Sequence, residues 1–280
     1  MILDGHVHIE SAEVEQANLL ERMKQAGVSG GIIISLPPQS FTFKGKAGTP
    51  EERLANLLEW SKGVETFYPF YWIDPTEDDA ERQIDLAIAK GVAGFKVICS
   101  HFYPSDKRAL KIFELIGERE KPLMFHSGIL WGGSGFSSKY NRPVEFEALI
   151  EINGLRFSLA HISWPWCDEL IAVYGKFQSA YFYDSDYSTE MFVDITPGTP
   201  EIYRKDALSK LFTVGYDIED NVIFGSDCRA DDYNVDWVAK WIERDKSILK
   251  EVGMGANVIA NVQGNTLIRF VMGEKRRKSH

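Results

Sequence analysis

Two of the chain's six histidines, His6 and His8, sit one residue apart in the stretch LDGHVHIE near the N-terminus. Ile2, Leu3, Val7 and Ile9 surround them, so the segment is expected to be a short β-strand. Residues i and i+2 of a strand project from the same face, roughly 7 Å apart along the chain. Two imidazoles placed in this way can converge on one metal ion. A lone His-x-His pair also arises by chance, so its weight depends on whether other ligands recur at matching places. They do: Lys96 lies in GFKVI, His126 ends PLMFH, His161 follows RFSLA and Asp227 ends VIFGSD. Of the remaining histidines, His101 falls just past the Lys96 segment and His280 is the last residue. Imidazole together with carboxylate suits zinc and related divalent metals.

Apolar runs that alternate with amphipathic stretches must position these groups. The predicted strands begin ILDGHVHI, GGIIISL, TFYPFYWIDP, GFKVI, PLMFHSG, RFSLAHIS, MFVDIT and NVIFGSD. Helical patterns separate them, from a first helix capped by Ser11 and closed by Gly27, to a second starting at Pro50, to a last helix over residues 256–273. Residues 142–154 are expected to be only partly helical. Eight βα units in succession predict an α/β fold, a (β/α)8 TIM barrel, with an open doubly wound sheet as the alternative. No Gly-x-Gly-x-x-Gly follows any strand, which weakens a dinucleotide-binding reading. In such barrels chemistry sits at the C-terminal strand ends, where four of the histidines and Asp227 fall. Alternation agrees: with Lys96 and His126 facing inward, Phe95, Val97, Leu123 and Phe125 face outward. Gly225 leaves room beneath Asp227.

The chain reads as one domain over residues 1–280, with residues 274–280 a basic, solvated and disordered tail. Its net charge of −10 argues against a nucleic-acid partner. No apolar run reaches the ~18 residues of a membrane span, and no secretory signal is evident, so a cytoplasmic location is expected. Three cysteines, Cys99, Cys167 and Cys228, form no paired framework, consistent with a reducing compartment. The expected partner is a small-molecule substrate, with self-association into a homo-oligomer left open.

The pieces DGHVH, GFK, FHSG, AHIS, FGSD and GNTLIRF together run from end to end of the chain. In them the chain resembles the amidohydrolase superfamily of metal-dependent hydrolases, above all the amidohydrolase-2 branch with its aminocarboxymuconate-semialdehyde decarboxylases and related lactonases. The resemblance implies that His6, His8, His126 and Asp227 hold one divalent metal, zinc first and manganese as the alternative. It implies that His161 orients the metal-bound water or the substrate, and that Asp227 also shuttles the proton. It leaves two readings of Lys96: a carbamylated bridge to a second metal, or a partner for a substrate anion. The activity implied is hydrolysis of a small amide, lactone or ester. Non-oxidative decarboxylation of an unsaturated or aromatic acid is the enzymatic alternative, and a non-catalytic metal- or ligand-binding barrel the alternative of another class.

Loop residues bear on the substrate. Arg229 could pair a carboxylate in bidentate fashion or serve as a surface ion-pair partner. Trp131 and Trp164, just beyond the ligands on the fifth and sixth strands, could wall a flat substrate, and Trp166 is expected to pack beneath the loops. Decarboxylases of this branch commonly carry an arginine on an early loop; PPQSFTFKGKAGT offers Lys44 and Lys46 instead. Cys228 is expected to be a small packing residue.

Overall fold

The computed structural model describes residues 1–42, 47–132, 135–184 and 186–274. Its strands are β1 (Asp4–His8), β2 (Gly31–Ile34), β3 (Phe67–Trp72), β4 (Gly94–Val97), β5 (Pro122–Phe125), β6 (Arg156–Leu159), β7 (Glu190–Asp194), β8 (Val222–Ile223) and β9 (Cys228–Arg229). All pair in parallel, in the order β8-β7-β6-β5-β4-β3-β2-β1-β9. Of the eighth predicted strand, residues 221–227, only Val222–Ile223 is a strand, paired with β7 through Asp194 and Ile223; β9, just past its end, pairs with β1 through Val7 and Cys228. The Gly5 amide donates to the Phe224 carbonyl at 2.8 Å, and the ring closes as a (β/α)8 TIM barrel. The most C-terminal tail residues, 275–280, lie outside the described residues.

The outer helices are α1 (Gln16–Gln25), α2 (Pro50–Ser61), α3 (Ala80–Ala89), α4 (Lys107–Glu118), α5 (Cys167–Tyr183), α6 (Glu201–Thr213) and α7 (Val235–Glu251). Helix α2 starts on a reciprocal cap, with Thr49 and Glu52 each accepting from the other's amide, and carries Pro50 in its first turn. Helix α1 begins five residues after Ser11, whose hydroxyl instead accepts from the Glu13 amide in a local turn. Pro143–Glu151, between β5 and β6, is a 3₁₀ helix in place of an α-helix.

Alternation along the strands sorts side chains into two apolar layers. Val7, Ile33, Phe95, Val97, Leu123, Phe125, Phe157 and Phe224 face the helices. Ile32, Ile34, Phe70, Trp72, Met124, Phe192 and Ile223 fill the barrel. Leu3, Leu267 and Phe270 join that inner layer. They come from the chain start and from the last helical segment, which is not continuous: α8 (Ala256–Ala260) and α9 (Thr266–Met272) are joined by a π-turn over Asn261–Asn265. The Val262 and Gln263 carbonyls there accept from the amides of Phe224 and Leu3, at 3.0 and 2.7 Å. The π-turn thereby ties the helix to both ends of the barrel seam. Among the described residues, no helix is long and apolar enough to cross a membrane.

Candidate metal centre

The strand ends at the opposite mouth carry the polar groups. His6 is fully buried. Its Nδ1–H donates to Asp194 Oδ2 at 2.8 Å, leaving Nε2 as the nitrogen with the lone pair. His6 Nε2 lies 3.1 Å from His8 Nε2, 3.3 Å from Lys96 Nζ and 3.7 Å from Asp227 Oδ1. His8 Nε2 is 3.6 Å from the same Asp227 oxygen. The His6, His8 and Asp227 donor atoms all lie within 4.8 Å of one another.

Several backbone features hold this cluster. Asp4 Oδ1 accepts from the amides of both His6 and Ser226, at 3.1 and 2.8 Å, and Asp4 Oδ2 accepts from the Tyr233 hydroxyl at 2.9 Å. One carboxylate therefore fixes β1 against the closing strand. Asp227 has a left-handed backbone (φ 60°), and its amide donates to the His6 carbonyl. A Cβ at Gly225 would lie 2.3 Å from Thr196 Oγ1 and 2.8 Å from His6 Cβ, so only glycine lets the closing strand pass so near His6. The end of β7, which carries Asp194, is anchored from outside: Arg204 donates to the Ile195 carbonyl and to both oxygens of buried Asp245.

His161 sits on a sharper hook. His161, Ile162 and Ser163 all have positive φ (61°, 45° and 52°), a conformation that costs a non-glycine residue of order 1–3 kcal/mol. Ser127, next to His126, clamps the hook: its hydroxyl donates to the Ala160 carbonyl at 2.6 Å and meets Ser163 Oγ at 2.7 Å. The His161 ring faces His126 at 4.9 Å and His6 at 5.4 Å between centroids, and its buried Nδ1 has no hydrogen-bond partner among the described residues. His126 is not part of the convergent donor group. Its Nε2–H donates to the Ile129 carbonyl at 3.2 Å, and its ring stands against His161.

Burial lowers all four histidines, with nearby Lys96 adding to the effect, so that His161 falls to about 4 and the others well below their usual range. They are neutral, with lone pairs available at neutral pH. Lys96 is lowered to about 8, chiefly by burial, opposed by Asp194 and Asp227. Asp227 is raised to about 7, also chiefly by burial, with Lys96 opposing. Its side chain is 40% accessible, but that face opens into the cavity, with protein around the rest.

The cavity is about 620 Å³. His6, His8, Lys96, His126, His161 and Asp227 form its polar floor, and Trp131, Trp164 and Arg229 stand among its outer lining. Arg229 is already engaged by Asp231 and Glu10, with nitrogen–oxygen distances of 2.5 and 3.2 Å. Trp166 lies under Arg142 instead, and Cys228 is a buried free thiol. His101 is placed apart, beside Ser100, Thr76 and Asp74. Lys44 and Lys46 lie outside the described residues.

The sequence reading missed Asp194, Asp4 and Ser127. Asp194 had a signal: it ends the apolar run of MFVDIT with the same parity as inward-facing Phe192. Applied to all eight strands, the strand-end rule would have found it.

The donor set suits a divalent metal. Two neutral imidazoles and a carboxylate converge, the Nδ1–H of one imidazole is held by a carboxylate, and one side opens to the cavity. The model of the family described as amidohydrolase matches residues 46–252, well over half of the chain. The chain belongs to the amidohydrolase family. This is an enzyme family whose members usually bind a divalent metal. Solved structures similar to this amidohydrolase include 2,6-dihydroxybenzoate decarboxylase from Rhizobium, 13% identical with a TM-score of 0.62, covering 97% of this chain and 98% of that one. A 4-oxalomesaconate hydratase from Rhodopseudomonas palustris is 14% identical, with a TM-score of 0.62, covering 97% and 96%. A probable 2-pyrone-4,6-dicarboxylic acid hydrolase from Acinetobacter baumannii is 10% identical, with a TM-score of 0.60, covering 98% and 99%. At these identities the likeness shows the shared barrel. No curated protein matches the chain in sequence.

Proposed function

We propose that this amidohydrolase is a metal-dependent hydrolase of a small lactone, ester or amide. The observation that carries the reading is the convergence of His6, His8 and Asp227 at the floor of a cavity, with one side open to a substrate. Three protein ligands and an open position are the arrangement of catalytic rather than structural metal sites. Zinc is the metal we favour, with manganese as the alternative. A divalent ion held there would supply Lewis acidity and lower the pKa of a water toward ~7.

The protein's own residues have separable roles. His6 and His8 present neutral nitrogens, and Asp194 orients the first of them through its Nδ1–H. Asp227 lies where it can accept a proton from the attacking water and return it to the leaving group. His161 faces the same space, with a ring that can hydrogen-bond the carbonyl oxygen as charge develops there. Lys96 adds positive charge at the floor beside His6. His126 lies one ring further from the donors and packs His161 into place.

The decarboxylase and hydratase neighbours use the same barrel for other reactions, so the choice rests on this chain's cavity. Arg229, the guanidinium at its mouth, is engaged by two carboxylates rather than turned toward a substrate acid. That favours hydrolysis over decarboxylation. Metal content by plasma emission, on protein purified without chelator, tests the first half of the reading; about one equivalent per chain is expected. Ring opening of lactones, set against CO2 release from aromatic acids, tests the second. Turnover that survives complete chelation, or CO2 release without hydrolysis, would overturn the reading.

A further inference from the structure

We infer that the part of the substrate lying beyond the reacting carbonyl is an uncharged planar ring system, so that this site takes neutral aryl lactones or esters rather than carboxylated ones. The inference rests on the hydrolytic reading for the reaction, but on the cavity wall for the substrate's body. Above the polar floor the wall is apolar. Phe41 packs on Trp72 with ring centroids 4.8 Å apart, and Trp72 meets the edge of His8 at 5.6 Å. Ile98, Leu130 and Trp164 line the cavity with them. A volume of about 620 Å³ holds a molecule of one or two fused rings. Aromatic walls favour a flat partner through offset or edge-on contacts.

Charge decides against an anionic body. An acid group pressed on this wall would lose water and would need a cation in exchange. Among the described residues lining the cavity, the lysine and arginine cations are Lys96 and Arg229. Lys96 lies on the floor against His6 and already faces Asp194 and Asp227. Arg229 has its Nε–Nη2 edge filled, with Nε 3.2 Å from Asp231 Oδ1 and 3.2 Å from Glu10 Oε2 and Nη2 2.5 Å from Asp231 Oδ2, so its single charge is already offset by two carboxylates. Glu10 itself lines the cavity and adds negative charge beside the wall.

The test compares coumarin with coumarin-6-sulfonate by titration calorimetry on the metal-loaded protein. The two share one ring body, and a sulfonate competes poorly for a divalent cation. Ring opening of dihydrocoumarin, glucono-1,5-lactone and 2-pyrone-4,6-dicarboxylate is measured alongside. Coumarin is expected to bind about tenfold or more tighter than its sulfonate, and Phe41→Ala to weaken coumarin by roughly tenfold. Dihydrocoumarin is expected to be the lactone opened. Tight coumarin binding with no lactone opened would uphold the substrate class and overturn the hydrolytic reading alone. Equal or tighter binding of the sulfonate, or preferred opening of the dicarboxylate or the sugar lactone, would overturn the inference. A charged-ligand preference that disappears in Lys44→Ala/Lys46→Ala would overturn it too, by locating the missing cation in the early loop.

Discussion

The two ends of the barrel are built on opposite principles. At the closed end Leu3, Phe70, Phe192, Ile223, Leu267 and Phe270 pack a dry apolar plug, with Phe270 4.9 Å from Phe192 between ring centroids. At the open end Asp4, His6, Lys96 and Asp194 crowd charge into low-dielectric surroundings beneath Asp227, and four non-glycine residues of the mouth, His161–Ser163 and Asp227, hold left-handed backbones. Burial at the first end stabilises the protein; burial at the second works against it, as the raised carboxylates and lowered histidines record. The closed end thus provides the stability that lets the mouth keep strained and desolvated groups in place.

That division can be broken or sharpened by four substitutions. The largest effect is expected at Asp227. Asn tolerates a left-handed backbone, so Asp227→Asn should cut turnover by about 10²–10⁴-fold with little change in the urea midpoint. A collapse of stability would show instead that the mouth also holds the fold together. Phe270→Ala should do the reverse. A loss of about 3–5 kcal/mol in urea unfolding is expected, while the protein that remains folded keeps the parent's metal content. Metal lost in step with stability would erase the distinction between the ends.

Asp194→Asn probes a residue that touches no substrate and acts through His6. A neutral amide can still accept from Nδ1–H but carries no charge, so metal affinity should fall by about 10–100-fold, read by competition with a chromogenic chelator. An unchanged affinity would reduce Asp194 to a structural bond. Arg229→Ala should have the smallest effect. Its ion pairs with Glu10 and Asp231 are half-exposed, so stability should change by no more than about 1 kcal/mol. A several-fold rise in KM for a neutral lactone, with stability unchanged, would bring Arg229 back as a substrate contact.

Much of this was legible in the chain before folding. Local pattern marked all eight strand positions, because alternating and continuous apolar runs are the physical condition for a strand to be buried on one face or two. It missed the break in the last helix, because a π-turn is set by what its carbonyls bond: here the amides of Leu3 and Phe224, which lie far away in sequence. It placed the first helix too early, because Ser11 can cap a turn as readily as a helix.

The sequence by itself determined the fold class, the strand ends and the residue types that gather there. His6 and His8 had to share a face, since a strand repeats every two residues. Only the tertiary structure decided which groups meet. Closure of the ring brought Asp227 to the two histidines across more than two hundred residues, set Asp194 behind His6, and tied Arg229 to Glu10. Those choices depend on hydrogen-bond geometry and on which charges remain unpaired once water is excluded, and neither is a property of local sequence.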